Sequence, residues 1–225
     1  MLEHVASRTS TVVQSTYTFD DVPLGTPSED RYIIVSASGA RGNNSLVISN
    51  IVVAGANTSE VAAANNVRAA CAIRRTSAPL TAGMTGQISV TLNNTANGVH
   101  LDVWSAKRLA SPLAHDTKTG IATTANTVSV SLDVPPRGVA LAAAFGMRAA
   151  SNDWRGSAAS DNFPGGDAGR SITPTHDAAG FSWVGLTEDS DAPLNSVSTA
   201  VNWMLLAAAS WQLLPNERAF GAVMG

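Results

Sequence analysis

One cysteine, two lysines and 5% aromatic residues are all that this 225-residue chain offers to several kinds of chemistry, and each shortage removes a class of function. Cys71 is alone, so no internal disulfide and no cysteine-paired metal site can form. It lies in the apolar stretch "VRAACAIRR", where a small buried hydrophobe is the expected role. Lys107 and Lys118 are the only lysines and the formal net charge is -3, so no basic face is available to neutralise a run of phosphates. Nucleic acid is therefore excluded as an expected partner. Arginines are scattered, and the adjacent Arg74 and Arg75 would point to opposite sides of a strand. No segment approaches the length of a membrane span, and "MLEHVASRTST" has neither a basic nor an apolar signal region. No membrane partner and folding in a cytoplasm are the resulting expectations.

Hydrophobic residues make up 44% of the chain and charged residues 14%, enough for a core built mainly from Val, Ile, Leu and Ala. The pattern is of short runs with period two, separated by Gly, Pro, Asn, Asp and Ser. In "TVVQSTYTF", Val13, Ser15, Tyr17 and Phe19 share one face. "DDVPLGTPSED" then brings two prolines that a central strand would not accept. "RYIIVSAS" and "LVISNIVVAG" flank "GARGNN", which predicts a hairpin, and "GQISVTLN" and "VHLDVWSAKR" flank "NTANG", which predicts another. In "VHLDVW", Val99, Leu101 and Val103 are assigned to the core, with His100, Asp102 and Trp104 on a partly wet face. "NTVSVSLDVP" and "GVALAAAFGM" read as a pair across "PPRG", the second a central strand covered on both sides. A strand from about Asn202 to Trp211 is preferred to a helix. The expectation is a single all-β domain over residues 1–225: an antiparallel β-sandwich, jelly-roll-like, of about ten strands, with a long loop at about 149–180.

Candidates for chemistry are few. In "FSWVGLTEDSD", Glu188, Asp189 and Asp191 cluster after a strand, but the spacing lacks the glycine and distal glutamate of a calcium loop. A solvated strand end that discourages edge pairing is the preferred reading, so no metal or cofactor is expected. His4, His100, His115 and His176 show no metal-ligand spacing. No G-x-S-x-G elbow, phosphate-binding loop or dinucleotide fingerprint occurs, and catalytic residues are not assigned. Trp154, Arg155, Asp161, Asn162 and Phe163, within the long polar segment, combine ring faces with planar polar groups in the way that sugar recognition uses. A loop anchoring its aromatics on its own sheet or on a neighbouring subunit is the competing reading.

"YTFDDVPLGTPSEDRYIIVSASGARG" followed by "NIVVAG", and later "FSWVGLTEDSD", resembles a family of β-sandwich proteins encoded among the structural genes of tailed phages and prophages. The likeness is carried by Gly25, by Asp30 to Val35 and by Trp183 to Glu188. It implies a non-enzymatic virion component made in the host cytoplasm, either a capsid decoration or a tail or fibre protein. Other virion proteins and further copies of the chain would be its partners. The alternative expectation is a host-adhesion module that uses the tryptophan loop on a surface glycan.

Overall fold

The computed structural model describes residues 2–40, 45–122, 128, 130, 132–135, 138–147, 170–171, 178–186 and 202–215. Every regular element among them is a strand. In chain order these are β1 (Leu2–Ser10), β2 (Gln14–Pro23), β3 (Tyr32–Ala40), β4 (Ile48–Val53), β5 (Ala56–Asn65), β6 (Ala69–Thr76) and β7 (Thr85–Ala96). They continue with β8 (Gly98–Ala106), β9 (Asp116–Ala122), β10 (Gly138–Met147), β11 (Arg170–Ser171), β12 (Ala178–Leu186) and β13 (Asn202–Gln212).

The first eight strands are hydrogen-bonded in the order β1-β8-β3-β6-β5-β4-β7-β2. Folded between β5 and β4, that order gives two facing four-stranded layers, β1-β8-β3-β6 and β5-β4-β7-β2, the connectivity of a jelly roll. The expected antiparallel sandwich is therefore present. Ile33, Val35, Leu101 and Val103 from one layer pack against Ile51, Val53, Ile88 and Val90 from the other. β5 closes the side of the sandwich by pairing with β6 along its length and with β4 at Ala56 and Asn57. Ala54 and Gly55, at φ 48° and 79°, make the tight turn from β4 into β5.

Both hairpins expected from turn residues are corrected by this order. β3 and β4, on either side of "GARGNN", are not paired, and neither are β7 and β8 beside "NTANG". Both connections pass from one layer to the other. Asn97 donates its N–H to Ala40 O at 2.7 Å, which ties the second crossing to the end of β3. Pro23 is accommodated because β2 is the edge strand of its layer.

A third layer, in the order β11-β12-β10-β13-β9, covers the outer face of the first. Ile34, Cys71, Ile73 and Trp104 meet Leu141, Phe145, Leu205 and Trp211 there, with alanines filling much of the remaining space. β10 lies between β12 and β13, and its other face, Ala140, Ala142 and Ala144, is covered by Val128, Val130, Leu132 and Val134. β10 is thus covered on both sides as expected. Val128, Val130, Leu132 and Val134 of "NTVSVSLDVP" are buried in alternation as expected, but the run is not the hydrogen-bonded partner of β10, which lies between β12 and β13. β13 spans Asn202–Gln212, in agreement with the strand reading. The expected loop at 149–180 contains β11 and the first residues of β12, Ala178 to Gly180; its positions 149–169 lie outside the described residues. β1, β5, β9 and β11 were not anticipated.

Arg31 holds one end of the jelly roll. Its guanidinium, fully buried, donates to five carbonyl oxygens: Leu80, Leu24, Gly25, Ala82 and Gly83, at 2.6–3.3 Å. Gly25 is required there, since it has φ 75° and a Cβ would lie 2.9 Å from Ser105 Cβ. The glycine and arginine on which the family resemblance rests thus form one internal clamp joining two loops to β3.

Candidate functional site

The outward face of β8 carries the densest group of chemically capable side chains among the described residues. His100, Asp102 and Trp104 alternate with the core residues Val99, Leu101 and Val103, as the period of a strand requires. All three are buried, about 1% exposed, which corrects the partly wet face expected from sequence. The cause is the third layer, whose presence over this face an alternating pattern cannot reveal.

β1 runs antiparallel to β8 and adds the remaining groups through a bulge. Its register pairs His4 with Trp104, then slips by one residue, so that Ser7 lies opposite Asp102 and Thr9 opposite His100. Strict alternation would send His4 and Ser7 to opposite faces; the extra residue at Val5 brings them to the same one. Ser7 Oγ donates to Asp102 Oδ1 at 2.5 Å, and His4 Nε2 lies 3.1 Å from Ser7 Oγ and 3.4 Å from Asp102 Oδ1. His100 Nε2 is 3.1 Å from Asp102 Oδ2, while its Nδ1 is 2.8 Å from Thr9 Oγ1. The His4 ring meets Trp104 edge to face, with centroids 4.8 Å apart.

Ser7 gives its proton to Asp102, whose carboxylate also faces Nε2 of both histidines, while Thr9 Oγ1 faces His100 Nδ1. Burial alone would raise the Asp102 pKa, but donation from His100, His4 and Ser7, together with the charge interaction with His100, holds it well below the usual carboxylate range. The carboxylate is the acceptor at the centre, with the Ser7 hydroxyl and Nε2 of both histidines around it.

That polarity is the reverse of a hydrolytic relay. A catalytic serine must give its proton to an imidazole whose other nitrogen is held by a carboxylate. Here Ser7 donates directly to the acid, and Asp102 faces Nε2 of both histidines. The chemistry available to this cluster is cross-strand holding, which fixes β1 against β8.

On the same sheet face, Ser36 and Ser38 of β3 lie opposite Asp102 and His100. Ser38 Oγ donates across the layer boundary to Ala144 O at 3.2 Å. Among the described residues no group of three or more His, Cys, Asp or Glu side chains is arranged to hold a metal ion. Cys71 is buried and its thiol is pushed up to about 12, chiefly by desolvation, as the reading of an inert hydrophobe requires.

The residues singled out from sequence fall elsewhere. Trp154, Arg155, Asp161, Asn162 and Phe163, and the acidic Glu188, Asp189 and Asp191, lie outside the described residues, as does His176. His115 Nε2 sits 3.2 Å from Asp133 on the surface, whereas its sequence neighbour Asp116 accepts from the Asp133 and Thr117 N–H groups and from Lys118. The signal for the buried cluster was the i, i+2 placement of His100 and Asp102; its β1 half, displaced by the bulge, left none.

No family model matches the chain, and no curated protein matches it. Among solved structures, one described as the PBSX exported protein XepA aligns with 93% of this chain and 86% of its own, at 11% identity and a TM-score of 0.22. A likeness at that level carries no argument about function.

Proposed function

We propose that this chain is a non-enzymatic structural component of a tailed-phage particle, a surface accessory of the capsid or a tail or fibre protein that works by repeated protein contacts. The non-enzymatic part is supported by the His4–Ser7–Asp102–His100 cluster, in which the Ser7 hydroxyl donates to the buried carboxylate and not to an imidazole, and whose members link β1 to β8. The assembly part is supported by the sheet edges. Among the described residues β1 and β2 end the jelly-roll order and β9 and β11 end the third layer, and strand edges of this kind suit contact with neighbours in a symmetric array. Many such contacts, individually weak, give strong attachment through multivalency. The sequence resemblance of Gly25, Asp30 to Val35 and Trp183 to Glu188 supplies the kind of particle.

Antibody labelling of intact particles from the producing cells tests the reading, and labelling at regular positions on heads or tails is the expected result. Protein that stays entirely free of particles overturns it. A glycan array run with the same protein tests the adhesin alternative: selective binding that disappears in Trp154→Ala would replace attachment by sugar recognition.

A further inference from the structure

Three buried or nearly buried arginines of the jelly roll are treated differently by the fold. Arg31 has its five carbonyl acceptors. Arg74, on β6, points into the sandwich and finds Thr58 Oγ1 at 3.1 Å, together with Thr58 O, Ser49 O and Glu60 at 3.3–3.4 Å. Arg75, the next residue, points to the other face and is 5% exposed, yet among the described residues its Nε and Nη1 have no hydrogen-bond partner. Tyr32 is its neighbour, with the ring centroid 4.7 Å from Cζ and the phenol as a side-chain hydrogen-bond partner of the guanidinium, which leaves Nε and Nη1 unpaired.

A guanidinium removed from water with two donor nitrogens unpaired is costly, and a ring face compensates for only part of that cost. The ring does fix the cation. With one face on Tyr32, the guanidinium leaves its edges for an acceptor, and a planar acceptor in its own plane suits them. The position is a rim: Tyr32, Val61, Leu109, Ala114 and Leu213 are the partly buried residues that border the core between the first and third layers. An acceptor would enter over Tyr32 from outside. A singly charged group is favoured, because one guanidinium balances one charge and a dianion would carry a larger desolvation cost into so enclosed a place.

We infer that Arg75, stacked on Tyr32, anchors a carboxylate-binding site at the rim between the first and third layers, open to a free small carboxylate or to an acidic side chain of another protein. The site stands on the geometry of Arg75 and is independent of where the protein resides.

The test uses the full-length protein and the Nε–H resonance of Arg75 in proton–nitrogen correlation spectra, identified by its loss in Arg75→Lys. Sodium acetate is titrated against sodium chloride at constant ionic strength, with the Arg31 Nε–H as internal reference. A saturable acetate-dependent shift of the Arg75 signal, absent from Arg31 and weakened at least tenfold in Tyr32→Ala, is expected. A parallel titration with an acetylated Asp-containing tripeptide distinguishes the sources. Tighter binding of the peptide than of acetate assigns the site to a protein partner; equal or weaker binding assigns it to small carboxylates. An Arg75 signal that moves no more in acetate than in chloride overturns the inference. Retained dispersion of the other amide signals in Arg75→Lys and Tyr32→Ala shows that each variant is folded, which makes their loss of response interpretable.

Discussion

The two cores of this molecule lie on opposite faces of the same strands, and they differ in kind. Inside the jelly roll, β3, β6 and β8 present Ile33, Val35, Ala70, Ala72, Leu101 and Val103 to large aliphatic and aromatic partners. Toward the third layer the same strands present Ser36, Ser38, Arg75, His100 and Asp102 beside Ile34, Cys71 and Trp104, and the opposing strands answer with Ala143, Ala207 and Ala209 among Val139, Leu141, Phe145, Leu205 and Trp211. The first core takes its stability from apolar area removed from water. The second contains polar groups that cost stability unless they are paired, and among the described residues Ser38 and Asp102 are paired while the Ser36 hydroxyl and two Arg75 nitrogens are not. Small side chains let the sheets approach, and polar ones restrict the register at which they can do so.

The comparison breaks most sharply at Ile88, a fully buried residue of β7 that faces the inner core. Ile88→Ala removes methylenes where large side chains surround the position, and a loss of about 2–5 kcal/mol in unfolding free energy is expected from urea denaturation. Should the loss stay within a few tenths, the inner core is not the close-packed region that its residues describe.

Asp102→Asn is expected to cost less at neutral pH, about 2 kcal/mol, because one amide cannot accept from Ser7, His4 and His100 together. The cost should depend on pH in a definite direction. Asp102 has a depressed pKa in the folded protein, so its contribution is fully present above the ordinary carboxyl value of 3.8 and is lost as pH falls from there through the folded value. The stability difference between the native protein and Asp102→Asn should therefore shrink on acidification below about pH 4. Asp30 and Asp116 are also depressed, the former first through the Ser28 hydroxyl and the latter, against its own burial, through the Asp133 N–H and Lys118. They act in both proteins and cancel in the difference. Urea midpoints measured from pH 7 to pH 2.5 would decide, and a constant difference would mean that Asp102 is not the ionised centre of the cluster.

Legibility followed the same division. Period two identified the strands of the inner core, since Val99, Leu101 and Val103 are buried as a set; of the face expected in "TVVQSTYTF", Tyr17 and Phe19 are buried, whereas Val13, which precedes β2, and Ser15 are exposed. It also identified β10 and β13, whose unbroken apolar runs required cover on both faces. The outer face of β8 was read correctly as a face and wrongly as wet, because burial there depends on a layer contributed by residues more than 30 positions downstream. β1 escaped notice because its bulge breaks the alternation between His4 and Ala6. The turn chemistry of "GARGNN" and "NTANG" suited a hairpin, but neither residue type nor spacing distinguishes a reversal within one sheet from a crossing between two. Two hairpins do form: the turn from β4 into β5 places Ala54, a residue with no turn preference, at positive φ, and the turn from β5 into β6 is held by Asn66, whose side chain accepts from the Arg68 and Ala69 N–H groups.

Ser36 gives the smallest expected effect and the finest test of the contrast. It sits opposite Asp102 on β3, is 2% exposed, and among the described residues its hydroxyl has no hydrogen-bond partner, unlike Ser38 two residues on. Removing an unpaired buried hydroxyl removes a desolvation cost without breaking a bond, so Ser36→Ala should be neutral or stabilising by up to about 1 kcal/mol. Ser38→Ala, which leaves Ala144 O without its donor, should be destabilising by about 1 kcal/mol. Opposite signs for two serines on one strand face would show that the outer core is governed by whether each polar group is paired. Equal losses would show instead that the Ser36 hydroxyl has an acceptor, and that this face is as uniformly packed as the one behind it.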